Sequence, residues 1–124
     1  MEPMTIDEMQ DILDDLAEEL PPALYEGLNG GILLLPEVKP SEYARNNDLY
    51  VLGEYNRSYS MGSYIVIYYG SFIRTFGGLP REDMIKELRK TLRHEFTHHI
   101  EGLAGERGLE KEDAAFMRKY LERG

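Results

Sequence analysis

The sequence predicts an α+β domain, and the pattern of its apolar residues supports this in two ways. Apolar residues recur at the spacing of an amphipathic helix in the first twenty residues, at 84–103 and near the end of the chain. Between these segments lie short runs rich in Val, Ile and Tyr, bounded by Gly and Pro, as strands are. Because the strands are grouped, we expect a small, mostly antiparallel sheet of about three strands, not a doubly wound one.

The first helix begins at a predicted capping box, in which Thr5 is followed three residues later by Glu8. Acidic residues on the other positions indicate a solvated outer face. Pro21 and Pro22 end the helical spacing. The side chains predicted to face the core are Ile6, Met9, Ile12, Leu13, Leu16 and Leu20.

Three apolar segments predict the strands. The first, Ile32–Leu35, follows a glycine-rich turn and is bounded by Pro36. The other two, Leu49–Tyr55 and Tyr64–Tyr69, are rich in residues that favour strands. Residues 56–63 connect them, so an antiparallel hairpin is the simplest pairing.

Two helices are predicted in the second half of the chain. Pro80 opens the longer one at its first turn, and we expect it to end near Gly102, because glycines recur there at three-residue intervals. The final helix is predicted at Glu110–Arg123. The predicted core-facing side chains are Ile85, Leu88, Leu92, Phe96, Ile100 and Leu103 of the longer helix and Phe116, Met117, Tyr120 and Leu121 of the last.

Composition narrows the class of protein. A length of 124 residues fits one domain spanning 1–124. The absence of cysteine excludes disulfides and thiolate metal sites. A net charge of −9 argues against a nucleic-acid partner, since such binding depends on cations at phosphates. Neither a signal peptide nor a membrane-spanning stretch is present, so we expect a cytoplasmic protein with no membrane partner.

The segment from His94 to His98 is the candidate functional site. Two histidines four residues apart share one helix face, so both imidazoles can reach one divalent metal. Glu95 lies to the side, where it can act on a water at that metal. His99 lies near the core-facing stripe, and we interpret it as structural. The alternative is a solvated helix face that carries two histidines.

Residues 94–102, His-Glu-Phe-Thr-His-His-Ile-Glu-Gly, resemble the zincin-like metallopeptidases, and in particular the short bacterial minimal zincins. The resemblance is specific over about 79–113. In that family the motif often continues as HExxHxxGxxD, whose final Asp is the candidate third ligand. Here Glu101 stands at the Gly position and Ala104 at the Asp position. The resemblance implies a metal-dependent hydrolase.

Glu106 is our choice of third metal ligand. It follows a turn in which Gly102 and Gly105 would let the backbone fold back towards the metal, and it fits the family's downstream acidic position if the turn is longer. Glu101 lies on the histidine face, but about 10 Å along the helix axis from His94. The remaining candidates are Glu101, Glu110 and Asp113.

These residues predict one Zn²⁺ per chain, with Glu95 as the general base in hydrolysis of a peptide or protein substrate. A sheet edge beside the motif helix, with Tyr50–Tyr55 as the candidate strand, would align an extended peptide. Two alternatives remain open at this point. One is a metal-dependent hydrolase of a non-peptide substrate, and the other is a non-catalytic binding module that the metal stabilises.

Overall fold

The computed structural model describes residues 3–42, 49–106 and 111–122, with the backbone alone at 106 and 111–113. Four helices and a three-stranded sheet confirm the predicted α+β class. None of the described helices is long and apolar enough to cross a lipid bilayer. In chain order the elements are α1 (Ile6–Glu18), a 3-10 turn (Pro22–Tyr25), β1 (Gly31–Leu35), β2 (Gly53–Ser58), β3 (Gly62–Tyr68), α2 (Tyr69–Phe76), α3 (Arg81–Glu106) and α4 (Lys111–Glu122).

The sheet has the strand order β1-β3-β2, so β2 is an edge strand. β3 pairs in parallel with β1, with Val66 opposite Leu33, and antiparallel with β2, with Ile65 opposite Tyr55. The sheet is therefore mixed, and the predicted hairpin of the second and third strands is confirmed. β3 is the most buried strand, because it has a neighbour on each side.

The hairpin differs from its prediction in where the strands begin and end. β2 begins at Gly53 rather than at residue 49, because Tyr50 instead forms an isolated antiparallel bridge with Pro40. The turn is also shorter than predicted. The Ser58 hydroxyl accepts a hydrogen bond from the Met61 backbone N–H at 2.8 Å, which stabilises a tight connection.

α1 and α3 bury their apolar stripes in one hydrophobic core with the sheet, as their periodicity predicts. The capping box of α1 is present, with the Glu8 backbone N–H donating to the Thr5 hydroxyl at 3.1 Å. Each fully buried Leu, Ile or Phe in this core contributes about 1.5–3 kcal/mol relative to an exposed one. The buried side chains of these two helices include Met9, Ile12, Leu13, Leu16, Met84, Leu88, Leu92, Phe96, Ile100 and Leu103.

α2 is a helix that the sequence pattern does not predict. It begins at Tyr69, directly after β3, and contains only two turns. Its position depends on tertiary contacts, since Phe72 is buried in the core and the Ser71 hydroxyl accepts a hydrogen bond from the Lys39 backbone N–H at 2.9 Å. A helix this short has little intrinsic stability, so its apolar periodicity is a weak signal.

The ends of the last two helices correct the prediction. α3 does not end near Gly102 but continues to Glu106, so Gly102 and Gly105 lie inside the helix. Leu103 remains buried, which favours this continuation. In α4, Phe116 is 73% exposed rather than core-facing, whereas Ala114 and Leu121 are buried.

Candidate metal centre

The two motif histidines lie one turn apart on α3, and their rings converge. The Nε2 atoms of His94 and His98 are 3.1 Å apart, and the ring planes are inclined at 86°. Both side chains are exposed to solvent. The core-facing stripe of α3 turns this face outward, so the histidines point away from the hydrophobic core.

The separation of these nitrogens suits a shared zinc ion. Imidazole nitrogens bind zinc at about 2.0–2.1 Å, so two ligands in a tetrahedral site lie about 3.3 Å from each other. The observed 3.1 Å is close to this value. A metal ion could therefore bind both Nε2 atoms with only a small adjustment of the rings.

His94 favours the neutral state that metal binding requires. Partial burial lowers the pKa of His94, and the neighbouring His98 lowers it further, while the charge of Glu101 opposes both effects. A neutral imidazole offers a nitrogen lone pair to the metal without first losing a proton.

Glu95 is buried beside the histidines, with only 6% of its surface exposed. Burial raises the pKa of Glu95 to about 7, and the negative charge of Glu54 contributes to the shift. A carboxyl group with this pKa can both accept and release a proton near neutral pH, which is the property that a general acid–base catalyst needs.

One cleft of about 580 Å³ brings the motif together with the edge strand β2. β2 lies close to α3 at Gly53, where an added Cβ would be 3.1 Å from Thr91 Cγ2. Glycine at this position therefore permits the close approach of strand and helix that forms the cleft. Its lining residues are Gly53, Glu54, Tyr55, Arg57, His94, Glu95 and His98.

Glu54 is held in the cleft wall by two donors. The Lys39 ammonium and the Tyr68 hydroxyl, the latter at 2.7 Å, both donate to Oε1 of Glu54. Burial raises the pKa of Glu54, but the hydrogen bonds from Lys39 and Tyr68 outweigh it and hold the pKa below its usual value. Glu54 therefore remains a carboxylate and supplies the negative charge that Glu95 experiences.

Tyr55, the next residue of β2, forms a hydrogen bond with His99, which is fully buried. The backbone carbonyl of Glu26 can only accept, so His99 Nε2 donates to it at 2.7 Å. Nδ1 is then the acceptor for the Tyr55 hydroxyl at 2.9 Å. This arrangement agrees with the structural role predicted for His99, and it fixes the Tyr55 ring at the cleft.

The side chains that the structure describes do not complete a three-ligand group beside the two histidines. Within that part of the chain, no group of three His, Asp or Glu residues could hold a metal ion. Glu101 is exposed on α3 and does not complete the pair. Glu106 ends α3 rather than following a turn, which places it about 12 Å along the axis from His98. The side chains of Glu106 and Asp113, and the whole of Glu110, lie outside the described residues.

A second cleft of about 540 Å³ lies on the other side of His94, between α3 and α4. Its lining includes Lys86, Lys90 and Arg93 of α3 and Leu121 of α4. His94 lines both clefts and so lies between them, whereas His98 lines the first cleft.

Comparison with solved structures identifies a relative of this chain. A conserved hypothetical protein from Thermo thermophilus is 33% identical, with an alignment that covers 82% of this chain and 98% of that chain, and the TM-score is 0.66. The two proteins belong to one family. The description of this family member names no ligand or reaction, so the likeness supports the fold. No protein-family model and no curated protein matches the chain.

The structure brings the three motif residues together in one cleft, but the sequence pattern does not indicate the residues of the opposite wall. Glu54, Tyr55 and Arg57 lie on β2, and only the order of the strands brings them beside α3. The available signal is a pair of charged residues, Glu54 and Arg57, within or next to a predicted strand. Such charges are common on exposed strand faces, so this signal alone does not identify a site.

Proposed function

We propose that this chain is a zinc-dependent peptidase in which His94 and His98 bind the metal and Glu95 is the general base. The convergence of the two Nε2 atoms at 3.1 Å, in one cleft with a buried carboxyl group, supports the proposal most strongly. The residues fit two of the three protein ligands of a catalytic zinc site. A cytoplasmic location, predicted from the sequence, remains part of this proposal.

The chemistry divides between the metal and the protein. A bound zinc ion would supply Lewis-acid activation of water and of the substrate carbonyl. Glu95 accepts a proton from the attacking water and later donates it to the leaving amine. The Glu95 side chain is buried and has little contact with bulk solvent. Its pKa of about 7 suits both the acceptance and the release of the proton.

The edge strand supports a peptide as the substrate. β2 has β3 on one side, and no strand of the described residues pairs with its other edge. An extended peptide can pair with such an edge through its backbone, independently of its side chains. Residues 53–55 and 57 line the cleft, whereas Tyr50 bridges Pro40, so the supporting strand is displaced from the predicted Tyr50–Tyr55.

We propose a carboxylate as the third ligand, with Glu106, Glu110, Asp113 and Glu101 as the candidates. The continuous α3 removes the turn that favoured Glu106, so the four residues should be compared directly by single Ala substitutions. The true ligand is the one whose removal weakens zinc binding most.

Hydrolysis of a mixed peptide library by the zinc-loaded protein tests the proposal, with products identified by mass spectrometry. Wild type should cleave peptides, and Glu95→Gln should bind zinc equally but lose turnover. Glu82→Gln, on the exposed first turn of α3, is the matched control and should retain activity. Equal cleavage by Glu95→Gln and wild type would contradict the general-base role. Zinc binding with no hydrolysis would instead favour a non-peptide substrate or a non-catalytic, metal-stabilised module.

A further inference from the structure

Arg57 lies on β2 and lines the cleft that contains His94, Glu95 and His98. Its guanidinium contacts α3 at Gly102. The side chain is exposed and lines the same cleft as the three motif residues. A Cβ added to Gly102 would lie 2.4 Å from the Arg57 Nη2 atom, which is a severe overlap. The missing side chain at Gly102 therefore permits the guanidinium to rest against the helix one turn beyond His98.

The Arg57 guanidinium packs on Tyr55, which is itself held by hydrogen bonds to the protein interior. The Arg57 guanidinium carbon lies 6.0 Å from the centroid of the Tyr55 ring, within the range of a cation–π contact. The Tyr55 hydroxyl donates to His99, and His99 is buried and bonded to the Glu26 carbonyl. A chain of defined contacts thus runs from the protein interior to a cation at the cleft.

The charges of the residues that line the cleft indicate which groups the Arg57 guanidinium can bind. Among the described residues that line the cleft, Glu54 and Glu95 are acidic, and Glu54 already accepts from Lys39. Arg57 supplies the positive charge at the other end. A guanidinium has five N–H donors in one plane, so it can keep its contacts within the protein and still bind a carboxylate through two parallel hydrogen bonds.

We infer that Arg57 determines specificity by binding a carboxylate group of the substrate, next to the bond that is cleaved. This inference rests on the proposed peptidase function and names its substrate class. β2 runs beside α3 from Thr91, at Gly53, to Gly102, at Arg57, so the carboxylate is held on the Gly102 side of the histidines. The carboxylate is either the C-terminus of a peptide or an acidic side chain.

Two glycines of α3 provide a matched pair of variants. Gly102→Ala introduces a methyl group where Arg57 now lies, and the guanidinium, as the end of a flexible side chain, must move away. Gly105→Ala adds the same group in the same helix, where no atom of the described residues lies within 4 Å. Ala favours a helix over Gly at both positions, so both variants should fold. Arg57→Gln removes the charge directly.

Binding is measured first, on the metal-free full-length chain, by NMR of the Arg57 Nε–H group. The probes are acetyl-trialanine with a free C-terminus, its C-terminal amide, and the amide of acetyl-Ala-Asp-Ala. The free acid or the Asp peptide should bind about 10- to 100-fold more tightly than the plain amide, and the better of the two identifies the source of the carboxylate. Arg57→Gln and Gly102→Ala should lose this preference, with binding then followed through backbone amide shifts, and Gly105→Ala should keep it.

Three results would overturn the inference: equal affinity for all three probes, no binding of any probe, or the same behaviour in Gly102→Ala and Gly105→Ala. Hydrolysis by the zinc-loaded protein separates this failure from failure of the proposed function. Peptide cleavage with no preference for carboxylates refutes the role of Arg57 and leaves the peptidase proposal in place. Selective binding without any cleavage supports the role of Arg57 in recognition and contradicts the peptidase proposal.

Discussion

Replacing Glu95 by Gln should stabilise the metal-free protein at neutral and higher pH. The pKa of Glu95 is about 7 in the folded protein and 4.5 for an ordinary Glu. Below about pH 4.5 the Glu95 carboxyl group is mostly protonated in both the folded and the unfolded chain, so its ionisation has little effect on the unfolding free energy. Between the two values the unfolded chain ionises first, so the wild type loses about 1.4 kcal/mol per pH unit. The accumulated loss is about 3 kcal/mol by pH 8, and Gln does not experience it.

The assay is urea unfolding of both proteins in a metal chelator, at a series of pH values. The difference in unfolding free energy between Glu95→Gln and wild type should rise by about 3 kcal/mol from about pH 4.5 to pH 8. Any pH-independent cost of burying the amide cancels in this change. Glu101→Gln is the control, and because that side chain is exposed, its effect should stay within about 0.5 kcal/mol throughout. A flat difference for Glu95→Gln would refute the argument that burial in the cleft raises its pKa.

Three further substitutions test the packing and hydrogen bonds that support the site. Tyr55→Phe leaves His99 Nδ1 without the hydroxyl donor at 2.9 Å, and should cost about 1–3 kcal/mol in chemical denaturation. Leu88→Ala opens a cavity at a fully buried position and should cost about 2–5 kcal/mol, measured by the same unfolding curves. Thr5→Ala removes the hydroxyl that caps α1 through the Glu8 N–H, and should lower stability by about 1 kcal/mol, a change visible in the thermal midpoint.

The helices that have a long amphipathic pattern are the part of the fold that the sequence predicts well. The stripe through Leu88 and Phe96 is buried as expected, because a face of this width must pack on a core whatever its neighbours are. The end of α3 is predicted wrongly, since glycine is usually a signal for helix termination. The reason for Gly102 is instead a contact with Arg57, which is 45 positions away in the chain and depends on strand order.

In the candidate site, too, some residues can be predicted from local sequence spacing, whereas others depend on how distant segments pack together. His94, Glu95 and His98 can be placed from local spacing alone, because helix geometry determines which of them share a face. The opposite wall of the cleft depends on β2 being the edge strand and lying against α3. No local pattern contains that information. The proposed third ligand is difficult to predict for the same reason, since a carboxylate from another segment would have to reach the histidines.

Equilibrium zinc binding tests the central claim most directly. Wild type, His94→Ala, His98→Ala and Lys90→Ala should each be titrated with Zn²⁺ in competition with a chromophoric chelator, and their folding should be checked by circular dichroism. We expect one high-affinity ion in wild type and in Lys90→Ala, whose exposed side chain lies on the same helix. Each histidine variant should lose more than about 100-fold in affinity, beyond the 10- to 100-fold that loss of a partner outside the coordination sphere costs. Equal zinc affinity in all four proteins would contradict a metal centre at His94 and His98.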